Sequence, residues 1–146
     1  MNRKNIATDI SYFRLSLLAF LRESHPQLIS DEKFIAARVE AALDTYEQAV
    51  RNNSNPLEAE QLANEVLFSG LHFSKYDTLK NILWNEFAND VPEDDAPALA
   101  IKLLPECESV FTNYSLSDDF TYSSEYDLLY TELTGAIALY FVEYGI

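Results

Sequence analysis

Apolar residues along this chain recur mostly at three- and four-residue steps, the spacing that gathers side chains on one face of an α-helix. Phe13, Leu17, Phe20 and Leu21, with Leu15 and Leu18 alongside, form a broad apolar surface. The pattern predicts a mostly buried helix from an N-cap at Thr8 or Asp9 to about Ser24, since Pro26 disfavours helical geometry at His25. A second helix is expected from Ser30 or Asp31 to about Asn52, with Ile35, Val39, Leu43, Tyr46 and Val50 facing inward. The turn Asn52 to Asn55 then enters Pro56, with Asn55 as N-cap and Glu58 placed to close a capping interaction. This third helix carries Leu57, Leu62, Val66 and Leu67 and is ended by Gly70, which makes an antiparallel pair with the second.

Ser74 repeats the capping logic, with Asp77 favoured at the positive end of a fourth helix reaching about Asn89. Tyr76, Leu79, Ile82, Leu83 and Phe87 point inward, and Trp84 either joins them or lies at the rim with its indole N–H satisfied. An acidic loop from Asp90 to Asp95 precedes two short helical pieces, about Pro97 to Leu104 and Pro105 to Tyr114, divided because Pro105 lacks an N–H. After an ordered loop from Tyr114 to Tyr122, Ser123 or Ser124 is expected to cap a final helix running to about Tyr144. Its stripe of Tyr126, Leu129, Tyr130, Leu133, Ile137, Tyr140, Phe141 and Tyr144 is joined by apolar residues on the other faces, so the last turns read as buried on most sides. The expected architecture is an all-α, single-domain bundle of about six helices over residues 1–146, with a largely buried C-terminal helix at its centre.

Composition supports an ordered core: 48% of the 146 residues are hydrophobic, too many for a disordered chain even at a formal charge of −14. That charge is uneven. The first 51 residues hold seven acids and seven bases, whereas after Lys102 there is no base at all among Glu106, Glu108, Asp118, Asp119, Glu125, Asp127, Glu132 and Glu143. Such a balance disfavours direct binding to nucleic-acid phosphates or to anionic lipid surfaces. The longest uncharged apolar run, Leu133 to Val142, is about half of what a bilayer-spanning helix needs. No secretion signal is legible and the single cysteine, Cys107, leaves no internal disulfide, so a cytoplasmic location is expected.

The candidate chemistry is sparse. His25 and His72 sit in short connections without the second ligand or base partner that a metal or catalytic site requires, and both read as surface or capping residues. Cys107 lies between Glu106 and Glu108, which oppose thiolate formation, and reads as a buried structural thiol. Asp119, Thr121, Ser123, Glu125 and Asp127 alternate oxygen ligands like a calcium loop, but Ser124 stands where the turn needs glycine and Tyr130 where a bidentate glutamate belongs. Neither a glycine-rich phosphate loop nor a nucleophile elbow nor a zinc-binding pair is present, so no catalytic residue, metal or cofactor is assigned.

Six of the nine tyrosines fall between Tyr114 and Tyr144, and Tyr122, Tyr126 and Tyr130 share a helical face if the last helix starts early. Aromatics at that spacing are ordinarily core, yet tyrosine beside exposed acid also suits a protein interface. The candidate partner-binding residues are therefore Glu93, Asp94, Asp95, Asp118, Asp119, Tyr122 and Glu125.

The segments Tyr12 to Leu18, Phe73 to Leu79 and Tyr126 to Gly135 resemble a Bacteroidetes family, domain of unknown function family 1896, whose members tend to accompany conjugative-transposon genes. The resemblance spans nearly the whole chain and implies a helical fold and a mobile-element setting; it transfers no functional residue. The leading functional reading is a non-catalytic protein–protein interaction or accessory module whose acidic C-terminal half docks a protein partner. The alternatives are a DNA-mimicking inhibitor of a nucleic-acid-binding protein and an enzyme with converging carboxylates. Homodimerisation through a tyrosine-bearing helix face is compatible with each.

Overall fold

Three of the expected N-caps are made as hydrogen bonds in the computed structural model, which describes residues 6–145. Asp31 accepts the Phe34 N–H at 3.1 Å, Asn55 accepts that of Glu58 at 2.9 Å, and Ser74 Oγ accepts that of Asp77 at 2.9 Å. Each pairs a donor that the first helical turn would otherwise leave without a partner. The helices are α1 (Ile6–Ser24), α2 (Glu32–Arg51), α3 (Pro56–Leu67), α4 (Lys75–Glu86), α5 (Ala96–Glu106), α6 (Glu108–Phe111) and α7 (Glu125–Tyr144). The fold is all-α, with no strand among the described residues. The chain divides into two compact units, Met1–Ser69 and Gly70–Ile146.

In the first unit, α2 packs against both α1 and α3. Helix α1 already includes Thr8 and Asp9, so Asp9 stands in its first turn and not at its N-cap. Its buried stripe is narrower than expected: Phe13, Leu17 and Leu21 are enclosed, but Leu15 is 66% exposed. Between α2 and α3 the chain turns through Asn53 at φ 69°, a left-handed conformation that asparagine tolerates better than most residues. Buried alanines line both helices, Ala42 and Ala49 on α2, Ala59 and Ala63 on α3, while Leu57 is 67% exposed. Small side chains let two backbones approach closely at native packing density, and of the α3 leucines Leu57 and Leu62 are exposed while Leu67 is buried. Arg38 crosses from α2 to the end of α3, where its Nη1 donates to the Leu67 carbonyl at 3.1 Å and to Val66 at 3.5 Å. A cation is thereby placed on the negative end of a helix. Of the two expectations for His25, surface or capping, burial rules out the first: its ring lies 5.8 Å from that of Phe20, and the residue stands at the N-cap of the 3-10 turn Pro26–Leu28, without a side-chain cap bond.

In the second unit, α4 packs against α5 and α7, and the core runs through Phe73, Leu79, Leu83, Leu103, Phe111 and Leu133. Gly70, at φ 75°, occupies the left-handed region as anticipated. Helix α4 ends at Glu86, three residues short of the expected Asn89. Pro105 does not divide α5, because it falls in the last turn, where the helix closes through the Cys107 N–H to Leu103 at 2.9 Å. Trp84 lies at the rim with its indole N–H donating to the Glu93 carbonyl at 3.0 Å. Helix α7 departs furthest from expectation. Only Leu129, Leu133 and Ile137 are fully buried along it, and Leu128, Leu139, Val142 and Tyr144 are exposed. A helix apolar on all sides has thus been packed on one side. Ser124 stands at its N-cap, as one of the two expected residues, but without a side-chain cap bond, and Ser123 Oγ donates to the Phe120 carbonyl at 2.7 Å.

Candidate functional site

The segment leading into α7 is held from within. Phe120 is buried edge-on against Phe73 at 5.3 Å and Tyr114 at 5.9 Å. Beside it, the Asp118 carboxylate accepts the backbone N–H groups of Gly70 and His72, each at 3.1 Å, and lies 3.3 Å from His72 Nδ1. One side chain therefore ties the 70–72 connection to the loop before α7. Ser117 Oγ donates to Asp119 at 2.7 Å, which orients the next carboxylate outward. Between these anchors, residues 120–122 form a single 3-10 turn that leaves Tyr122 90% exposed.

The seven candidate residues do not form one surface. Asp118, Asp119 and Tyr122 lie on the loop that enters α7 and Glu125 opens that helix; Asp118 and Phe120 tie the loop to the segment just before α4. Glu93, Asp94 and Asp95 form the exposed 3-10 turn before α5, which touches Trp84 near the end of α4. The two groups thus lie toward opposite ends of α4, a helix roughly 18 Å long at about 1.5 Å per residue. Asp118, moreover, spends its charge on the fold. Neither the proximity of residue 118 to residues 70 and 72 nor its two backbone partners has a local sequence signal.

The tyrosines separate in the same way. Tyr126 and Tyr130 are half-buried against the core with rings 6.3 Å apart, so the core reading holds for them, whereas Tyr122 stands apart on its own turn. Burial chiefly raises the pKa of both buried phenols. Tyr114 donates to Glu132 at 2.5 Å, and this bond to a carboxylate pushes its pKa up to about 12. Burial, helped by Glu106, pushes the Cys107 thiol up to about 11, so it is protonated near neutrality and a poor nucleophile. Among the described residues no group of three or more His, Cys, Asp or Glu side chains is arranged to hold a metal ion. Among the described residues the hollow beside Trp84, about 380 Å³, is lined by Ala88, Val91 and the acid Glu93.

Among the described residues no helix is long and apolar enough to cross a membrane. Residues 5–146 match the family described as domain of unknown function DUF1896. A crystal structure of protein PG0816 from Porphyromonas gingivalis is similar over 97% of this chain and 95% of that chain, at 43% identity and a TM-score of 0.91. No curated protein matches.

Proposed function

We propose that this chain, which belongs to the domain of unknown function family DUF1896, is a non-catalytic protein-interaction module that docks a basic partner through the loop entering α7. The observation that carries the reading is Tyr122, a residue 90% exposed on a turn that the buried Phe120 and the Asp118 hydrogen bonds hold in place. A large aromatic presented by a rigid turn loses little freedom on binding, and tyrosine is among the residues that dominate interface energetics. Asp119 and Glu125 flank it with negative charge in a region of the chain without a base, which steers a positively charged partner. Nothing comparable favours the DNA-mimicking reading, because the acids fall into two separate groups and Asp118 is occupied internally.

Site-specific photo-crosslinking tests the proposal. With a photoreactive phenylalanine analogue at position 122, irradiation in host cells is expected to trap one discrete partner. The same analogue at the exposed Glu40 of the first unit serves as the control. Equal labelling at both positions, or none at 122, overturns the reading.

A further inference from the structure

The outer face of α7 continues away from the loop as an exposed surface that no described element covers. Leu128, Gly135, Leu139 and Val142 share it, and the two last are 70% and 85% exposed. Gly135 stands at its middle, and a Cβ there would meet nothing within 4 Å, so packing inside the chain does not require glycine at this position. Where this face ends, a hollow of about 210 Å³ opens between the C-terminal ends of α5 and α7, lined by Glu106, Leu139, Tyr140, Glu143 and Tyr144 among others.

Among the described residues that line the hollow, the charges are of one sign. Helix C-termini carry partial negative charge and are usually complemented by lysine or arginine. Neither α5 nor α7 has a base in its last turn; each has a glutamate there instead, Glu106 and Glu143. Lys102, one turn before Glu106 and the last base of the chain, does not line the hollow, and among the described residues no ion pair neutralises either glutamate. Two carboxylates and two helix ends therefore face one concavity beside the rings of Tyr140 and Tyr144, which lie 4.9 Å apart. A cation among such groups gains from both the carboxylates and the aromatic faces.

We propose that this end of α7 receives a basic segment of another protein, with an apolar residue resting on Leu139 and Val142 and a lysine or arginine entering the hollow between Glu106 and Glu143. The inference rests on the interaction-module reading but uses none of the loop residues. A second copy is a poorer occupant of this face, since α7 laid on α7 sets acid against acid.

The probe is a fluorescein-labelled amphipathic helical peptide of leucine, alanine and lysine, titrated by anisotropy against the whole chain, with a peptide carrying glutamate for lysine as control. Saturable binding of the lysine peptide alone is expected, weakened about tenfold by the double substitution E106Q and E143Q and similarly by Leu139→Asn. Asp119→Asn should leave it unchanged, and circular dichroism confirms that each variant is folded. Unchanged affinity in the first two variants overturns the proposal. Loss with Asp119→Asn alone also overturns it, while leaving the loop reading standing. Sedimentation completes the test: a dimer dispersed by Leu139→Asn makes a second copy the occupant and likewise refutes the proposal.

Discussion

The two units treat their helix ends differently. In the first, α1 and α2 carry Arg22 and Arg51 in their last turns, and Arg38 reaches the final carbonyls of α3. In the second, none of α4, α5 and α7 has a base in its last turn, and α5 and α7 have Glu106 and Glu143 there. The first unit thus complements its own helix dipoles, while the second leaves negative potential at its surface. Packing differs as well: buried alanines between α2 and α3, against clustered aromatics around Phe120. The second unit therefore carries helix ends without complementing bases over an aromatic-rich core.

The strongest way to break the comparison is through the aromatic core. Phe120→Ala should cost about 3–5 kcal/mol, measured by urea denaturation, because it opens a cavity and releases the turn that presents Tyr122. Next, Arg38→Ala should cost about 1.5–3 kcal/mol by removing charge-assisted bonds from part-buried carbonyls. Gly135→Ala should raise stability by about 1 kcal/mol, since the added methyl meets open space and removes a mid-helix glycine. A destabilised alanine variant would contradict the exposed placement of that face. Glu143→Lys should add about 0.3–1 kcal/mol by supplying the missing base at the end of α7, and it should abolish lysine-peptide binding. Gain of stability with loss of binding would sharpen the contrast between the units; loss of both would contradict it.

The smallest effect concerns pH. The folded Tyr114 phenol, raised to about 12 by its bond to Glu132, lies above its ordinary value of 10.0. Its contribution is fully present below pH 10 and is lost as pH rises toward 12. Tyr114→Phe should flatten the decline of stability across that alkaline window, and tyrosinate absorbance should show one fewer late-titrating phenol.

Much of the fold was legible along the chain, because its signals are local. The caps at Asp31, Asn55 and Ser74 each involve a side chain and an N–H three residues apart, and the left-handed Gly70 answers a purely steric demand. The apparent cap at Ser123 failed for an equally physical reason: its hydroxyl found the Phe120 carbonyl in the preceding turn. Of the candidate site, exposed Tyr122 and its acidic neighbours could be named from the sequence, but the structural duty of Asp118 depends on residues 48 and 46 positions away. The hollow at Glu106 and Glu143 was equally hidden, since it is formed by two helices far apart in sequence.

By itself, then, the sequence determined that this chain is helical, where most helices begin, and that its negative charge gathers in the C-terminal half. Hydrogen bonds across one turn and the steric limits of proline and glycine act within a few residues, so a linear reading captures them. Only the tertiary structure decided which apolar faces are covered. Periodicity shows that a face is apolar, but burial requires a partner element, and among the described residues none covers the outer face of α7: Leu128, Leu139 and Val142 remain exposed while Leu129, Leu133 and Ile137 fill the core.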